Sequence, residues 1–144
     1  MRAGAAWGCA ALLMIGTASC SAPDEEPATV SLGGKEFIVE VAKTADDRQR
    51  GLAGRTSVPP GTGMLFPYES AAQRSFWMAG MEVPIDLAWI RGGQIVDVIT
   101  LAPCGASTDC PSFSSPGPVD AVVEVAEREL DGVDPGDQAV LPDL

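Results

Sequence analysis

Three carboxylates lie inside apolar stretches of this sequence, where a charged side chain is costly to bury. Asp86 and Asp97 fall in the segment PIDLAWIRGGQIVDVITL, and Glu124 falls in VDAVVEVA. A carboxylate in such a strand must either face solvent or meet a partner such as arginine. Two acids that converge in one cleft can also act as general acid and base, as in glycoside cleavage. A hydrolase that acts on a small carbohydrate-like substrate through Asp86 and Glu124 is therefore one hypothesis.

A second hypothesis is a binding site in which arginines meet these acids beside an aromatic ring. Such pairs usually stabilise the fold, but next to a tryptophan the same arrangement also binds anionic or sugar-like ligands. If residues 74–78 form a strand, Trp77 points away from Phe76 and Met78, and it either lines a pocket or packs beneath a loop. The arginines available as partners are Arg48, Arg50, Arg55 and Arg74. The residues that we expect to bind a small polar ligand are Arg50, Arg55, Trp77, Asp86 and Glu124.

Methionine provides a third hypothesis. Met78 and Met81 stand in the segment FWMAGM, and Met64 precedes them on another apolar run. Thioethers are soft ligands that select Cu(I). The same residues also fit ordinary core packing, so copper binding through Met64, Met78 and Met81 ranks behind the other two hypotheses.

The residue types that are missing exclude several classes of function. The chain contains no histidine, which removes serine–histidine and cysteine–histidine catalysis and most zinc and iron sites. Its glycine pairs lack the lysine and helix of a phosphate-binding loop. The net charge of −11 makes nucleic acid an improbable partner, because phosphate backbones require a basic face. We expect a binding or accessory module rather than an enzyme, and no cofactor.

The N-terminal segment has the layout of an export signal. Arg2 is followed by an apolar run, and small residues precede Cys20, in an order that resembles the lipobox of bacterial lipoproteins, whose cysteine is acylated. We expect a signal peptide over 1–19, an acidic tether over 20–29, and a membrane anchor through the lipid on Cys20. The protein would then lie in the cell envelope, with Ser21 indicating the outer membrane if the cell has one. Loss of 1–19 leaves 8 basic and 20 acidic residues, a net charge of −12.

Two further cysteines remain in the exported part of the chain. Cys104 and Cys110 flank a flexible five-residue loop, and exported proteins meet oxidising conditions. We expect a disulfide that shapes this loop and contributes about 2 kcal/mol. A redox or metal-binding thiol pair fits less well, because the spacing is not that of a C-x-x-C motif.

Alternation of apolar and polar residues predicts a single β domain over 30–144. Two glycine-turned hairpins are indicated, the first over 30–41 and the second over 85–101, with a further strand over 119–125 and a last one over 138–141. A helix is predicted from Thr44 to about Leu52, capped by Thr44 and followed by Gly54. Residues 102–118 hold four prolines and the cysteine pair, which is typical of a long ordered loop or lid.

Several short motifs follow one another in a distinctive order and spacing: RQRGL at 48–52 with Arg55, GMLF at 63–66, FWM at 76–78, PIDL at 84–87, Pro103-Cys104, VEV at 123–125 and Gly136-Asp137. Together they resemble the bacterial and archaeal domain of unknown function 192 family. The resemblance spans residues 30–141, and it implies a compact antiparallel β-barrel or sandwich with one or two short helices and no established activity.

Overall fold

The computed structural model describes residues 26–144, and these residues form a β domain with one short helix. Seven strands make one sheet, and two more make a small separate sheet. The mostly β fold with one helix confirms the fold class predicted from alternation. The elements in chain order are β1 Ala28–Leu32, β2 Lys35–Val41, α1 Ala45–Arg50, β3 Thr62–Ala72, β4 Ser75–Trp77, β5 Ile85–Arg91, β6 Gln94–Leu101, β7 Ser112–Ser114, β8 Val119–Ala126 and β9 Ala139–Val140.

The large sheet curls into a nearly closed barrel. Its strand order is β6-β5-β8-β3-β2-β1-β9, and a bridge between Gln94 and Gln138 joins the two edges. The amide of Ile95 donates to the carbonyl of Asp137 at 2.9 Å across the same seam. All pairings are antiparallel except β2 with β3, which run parallel. A parallel pair needs a crossover between its strands, and α1 lies in that crossover.

The central strands are buried on both faces. The inner cluster, inside the barrel, includes Val39, Leu65 and Val123, whereas the outer cluster includes Phe66 and Trp89 on the opposite face of the sheet. The crossover and the small β4–β7 sheet supply the residues that cover the outer cluster. Strands β5 and β8 and the first half of β3 are therefore nearly continuous apolar runs, because neither face of these segments meets water, whereas residues 69–71 of β3 are exposed.

Local sequence signals explain the turns and the helix. Gly33 and Gly34 turn the first hairpin with positive φ, a conformation that glycine adopts without steric cost. Thr44 caps α1 by accepting the amide of Asp47 at 3.1 Å, and the Asp47 carboxylate accepts the amide of Thr44 at 3.0 Å. Gly51, with φ of +50°, ends the helix two residues earlier than predicted.

Two predictions were wrong, and one long strand had not been predicted. Strand β1 starts at Ala28, inside the predicted tether, because Ala28 pairs with Val39. The strand that contains the GMLF motif continues to Ala72, since the ladder with β8 tolerates Pro67 and shifts register beyond it. The predicted loop 102–118 contains strand β7, which pairs with β4.

The disulfide between Cys104 and Cys110 is confirmed, with their Cα atoms 5.9 Å apart. The loop that it closes is fixed to the preceding turn, because the Gly105 amide donates to the Met81 carbonyl at 2.8 Å and the Gly80 amide donates to the Gly105 carbonyl at 2.9 Å. The predicted signal peptide, Cys20 and most of the tether lie outside the described residues. Across 26–144, no helix has the length and apolar character that crossing a bilayer requires.

Candidate functional site

Glu124 is a buried carboxyl near the middle of β8. Its neighbours Val123 and Val125 belong to the inner cluster, so the two-residue period of the strand turns Glu124 to the outer face, between Met64 of β3 and Leu87 of β5. Its side chain is only 5% exposed, and no donor within residues 26–144 lies at hydrogen-bonding distance from it. Burial raises the pKa of Glu124 to about 8, against the opposing pull of Arg55. The carboxyl is therefore mostly protonated at neutral pH.

The end of helix α1 lies over this carboxyl. A side chain at Gly51 would place its Cβ 3.7 Å from Oε2 of Glu124 and 3.5 Å from the ring of Phe66. Glycine at this position combines the left-handed conformation that stops the helix with a close approach of backbone to the acid. The crossover thus forms one wall directly above Glu124.

A cleft of about 600 Å³ opens between this wall and the chain that follows β3. Residues 48–53 line one side, residues 73–77 with Ala79 and Met81 line the other, and Phe66, Tyr68 and Glu124 also line it. The volume falls within the range of small-molecule pockets. The structure thus presents a ligand-sized cavity with a single carboxyl among its lining residues.

Aromatic rings build the far side of the cleft. Phe76 packs edge-on against Phe66 at a centroid distance of 4.9 Å and against Trp89 at 5.5 Å. Trp77, next along β4, is 55% exposed and pairs through its backbone with Ser112 of β7. Trp77 therefore lines the cleft, held in place by the segment that was predicted as a lid.

Two of the predicted arginines are paired away from the buried acids. Arg55 makes two hydrogen bonds to the carboxylate of Glu40, both at 2.7 Å, and Arg50 bonds Asp47 at 2.8 Å. The Arg55 guanidinium holds the pKa of Glu40 below its usual value, although partial burial opposes this. Arg50 lines the cleft at its exposed rim, whereas Arg55 reaches Glu124 only through its electric field.

The other two arginines flank Tyr68 and have no carboxylate partner within the described chain. The guanidinium carbon of Arg74 lies 3.8 Å from the centroid of the Tyr68 ring, and that of Arg48 lies 5.7 Å from it. Arg48 donates to the backbone carbonyls of Ala42 and Lys43, and Arg74 donates to that of Ser70 at 2.8 Å. Among residues 26–144, the buried Nε of Arg74 has no acceptor. Both cations line the cleft and also line a second depression of about 800 Å³ beyond Tyr68.

Asp86 is not in the cleft, and the expectation that it shares a site with Glu124 was wrong. It pairs in register with Val125, one residue beyond Glu124, so the two carboxyls face opposite sides of the sheet. Asp86 instead accepts the hydroxyl of Thr100 at 2.7 Å and the amide of Leu130 at 3.0 Å. Its role is structural, and the two-acid arrangement of a glycoside hydrolase is not formed.

The three methionines are buried together. Met64, Met78 and Met81 all belong to the outer cluster, and of the three only Met81 lines the cleft. Within residues 26–144, no group of three or more histidine, cysteine or acidic side chains is close enough to hold a metal ion. Their burial supports the packing interpretation of the methionines.

Sequence reasoning missed Tyr68, and it named Arg48 and Arg74 only as possible partners of the acids, not among the expected ligand-binding residues. A signal for Tyr68 was present, because Met64, Phe66 and Tyr68 follow the two-residue period of one strand face. Pro67 obscured this pattern, since proline normally interrupts a strand. No comparable signal existed for Arg74, which contacts the Tyr68 ring only because the chain turns back after β3.

Solved structures of similar fold are known. A candidate transcription regulator from Sinorhizobium meliloti 1021 has a TM-score of 0.68 and 25% sequence identity, with 81% of this chain and 92% of that one covered. A protein of unknown function from Novosphingobium aromaticivorans DSM 12444 also has a TM-score of 0.68 and 25% identity, with 79% and 83% covered. A comparison with curated proteins gives no match.

The family model of domain of unknown function 192, described as an uncharacterized ACR, matches residues 28–141. The match begins with β1 and ends just after β9, so it takes in the whole barrel together with the cleft. This chain therefore belongs to the domain of unknown function 192 family.

Proposed function

We propose that this protein is an exported, membrane-tethered module that binds a small polar ligand in the cleft above Glu124. The observation that carries the proposal is the Glu124 carboxyl itself, which is 5% exposed and lacks a hydrogen-bond partner among residues 26–144. Among residues 26–144, Nε of Arg74 is the one fully enclosed side-chain polar atom without a partner, so the oxygens of Glu124 are open to the cleft and not sealed in the core. A carboxyl that lines a cavity and has no internal partner is suited to a partner that arrives from outside.

The surroundings of the carboxyl support binding rather than turnover. Catalysis by paired carboxylates needs a second acid within reach, and Asp86 faces the other side of the sheet. The cleft instead combines the Glu124 carboxyl with arginine side chains, the exposed ring of Trp77 and the apolar surface of Phe76. A concave site in which a few polar groups converge beside aromatic surface is characteristic of small-molecule binding.

Export and tethering rest on the sequence of residues 1–29. The signal-like segment, the small residues before Cys20 and the acidic tether support a domain held outside the cell close to a membrane. A ligand-binding cleft in a domain that is held outside the cell, close to a membrane, is suited to the capture or presentation of a solute.

Fluorescence titration tests the binding proposal, because Trp77 lies in the cleft whereas Trp89 is 1% exposed in the core. The probes are D-glucose, L-serine, glycerol 3-phosphate and cyclohexanecarboxylate at millimolar concentrations. We expect a saturable change in emission with at least one probe, absent in Trp77→Phe and at least about tenfold weaker in affinity in Glu124→Ala.

Glu36→Ala serves as the matched control, since it removes an exposed carboxylate at the start of β2, outside the cleft. It should bind as the unmodified protein does. Glu124→Met provides a second variant, similar in size but without a strong hydrogen-bonding group, if the alanine variant is unstable by circular dichroism. Absence of a saturable response to all four probes would contradict the proposal, as would a response that both Glu124 variants retain in full.

A further inference from the structure

We propose that the cleft selects a small organic anion, whose charge is neutralised by Arg48 and Arg74 and whose body lies along Trp77 towards Glu124. This inference rests on the proposed function and names the chemical class of its ligand. It depends on the distribution of charge around the cleft rather than on the presence of the cavity.

The charged residues that line the cleft are three arginines and Glu124. Arg50 already has Asp47 as its partner, but Arg48 and Arg74 are bonded to backbone carbonyls and meet no carboxylate among residues 26–144. A carbonyl dipole does not neutralise a cation. On the cleft side these two guanidinium groups are held beside one ring without an ion-pair partner in the described chain, whereas Glu69 and Asp120 line the depression beyond Tyr68, so the cleft side forms a local positive site in a chain with a net charge of −11.

The Arg48–Tyr68–Arg74 cluster also fixes the orientation of these cations. Arg74 stacks over the ring at 3.8 Å, which leaves its guanidinium less exposed to water than a surface arginine. Its Nη2 donates to Ser70, while the buried Nε lacks an acceptor within the described chain. Arginine recognises carboxylate and phosphate oxygens by hydrogen bonds, so an anionic group in the cleft can pair with guanidinium nitrogens other than this enclosed Nε.

An anion can bind next to Glu124 only when this carboxyl is protonated, because none of the groups that face Glu124 within the described chain forms an ion pair with it. The flanking residues Met64 and Leu87 are apolar, Tyr68 is a neutral phenol whose pKa is raised by burial, and Arg55 is engaged by Glu40. Arg48, Arg50 and Arg74 complete the charged surroundings on the cleft side. A protonated carboxyl donates one hydrogen bond to an oxygen of the ligand, whereas an ionised one would repel it.

The sign of the pH dependence follows. The pKa of Glu124 is about 8 in the empty cleft, and a bound anion favours the protonated form. Affinity should therefore be highest below pH 8 and should fall as the pH rises above it. Near pH 8, where half of the carboxyls are ionised, binding should take up about half a proton per ligand.

Isothermal titration calorimetry with three probes of similar shape tests the inference on the whole protein. The probes are cyclohexanecarboxylate, cyclohexanecarboxamide and cyclohexylmethylamine, which differ mainly in charge. We expect the carboxylate to bind at least about tenfold more tightly than the amide or the amine. Titrations at pH 8 in HEPES and in Tris should give enthalpies that differ, because the two buffers release the absorbed proton with different heats.

Variants assign the preference to the proposed cations. Arg48→Gln and Arg74→Gln should each weaken carboxylate binding at least about tenfold while amide binding changes little. Arg128→Gln is the matched control, since it removes the same charge from an exposed residue paired with Asp131 outside the cleft. Glu124→Gln should abolish the difference between buffers without abolishing binding.

The outcomes separate the two proposals. If the amide or the amine binds as well as the carboxylate, or if only a neutral sugar binds in the fluorescence experiment, the anion inference is wrong and the binding proposal stands. If no probe binds in either experiment, both are wrong. Carboxylate binding that Arg128→Gln weakens as much as Arg74→Gln does would show attraction by overall charge and would also overturn the inference.

Discussion

Replacement of Glu124 by glutamine should change how the stability of the protein depends on pH. Glutamine has the size and hydrogen-bonding capacity of a protonated glutamic acid, but it does not titrate. In the unfolded chain the carboxyl has its ordinary pKa of 4.5, whereas burial raises the pKa of Glu124 to about 8 in the folded protein. Folding between these two pH values therefore requires uptake of one proton.

The magnitude follows from that interval. Below pH 4.5 the carboxyl is protonated in both states and Glu124 exerts no pH-dependent effect. Between 4.5 and 8 the free energy of unfolding of the unmodified protein falls by about 1.4 kcal/mol per pH unit relative to the glutamine variant. The gap should widen to about 5 kcal/mol and level off above pH 8.

Urea denaturation of both proteins from pH 5 to pH 9, followed by circular dichroism, measures this gap. Glu36→Gln is the control, because it removes an exposed carboxylate at the start of β2, outside the cleft, and leaves the Arg55–Glu40 pair intact. The difference between Glu36→Gln and the unmodified protein should stay constant over the measured range. Parallel curves for Glu124→Gln and the unmodified protein would refute the burial argument.

Three further outcomes are expected. Asp86→Ala should lower the free energy of unfolding by about 2–4 kcal/mol in urea titrations, because the amide of Leu130 loses its acceptor inside the protein; a loss below about 0.5 kcal/mol would contradict a structural role. Gly63→Ala should lower the free energy of unfolding by about 3 kcal/mol or more, because the added Cβ would overlap a backbone carbonyl of β8. Gly117→Ala is the control: open space surrounds Gly117, so this variant should unfold at nearly the same urea concentration as the unmodified protein. Mass spectrometry of the native protein should find an acylated N-terminus at Cys20, and an unmodified terminus downstream of it would refute the anchor.

The parts of the fold that depend on short-range patterns were predictable. Alternation located both hairpins, and Gly33-Gly34 showed where the first one turns. Thr44 identified the start of the helix through its capping box. The parallel pairing of β2 with β3 left no local trace, because which strands become neighbours depends on the path of the whole chain.

The site was predictable only in part, because the sequence shows which residue types are unusual in an apolar strand but not which of them come together. Trp77 and Glu124 were selected as unusual residue types for their surroundings, and both line the cleft. Asp86 was selected on identical grounds but lies on the other face, where it accepts the amide of Leu130. The sequence could not distinguish the two acids, because a carboxylate in an apolar strand has the same sequence context whether it faces the barrel interior or a cavity. Arg50 pairs with Asp47 and Arg55 pairs with Glu40. These pairs could not be predicted, because nothing in the sequence distinguishes Asp47 and Glu40 from the other surface acids.

The parallel arrangement of β2 and β3 bears on how the molecule assembles. Their contact cannot form until the stretch from Ala42 to Gly61 has closed on itself, and ordering such a segment costs entropy before the ladder returns any stabilisation. That stretch also carries Gly51 above Glu124. A substitution that loosens this wall should therefore make the closure of β3 onto β2 less favourable as well as distort the cavity, so one stretch of chain serves both the completion of the sheet and the shape of the cleft.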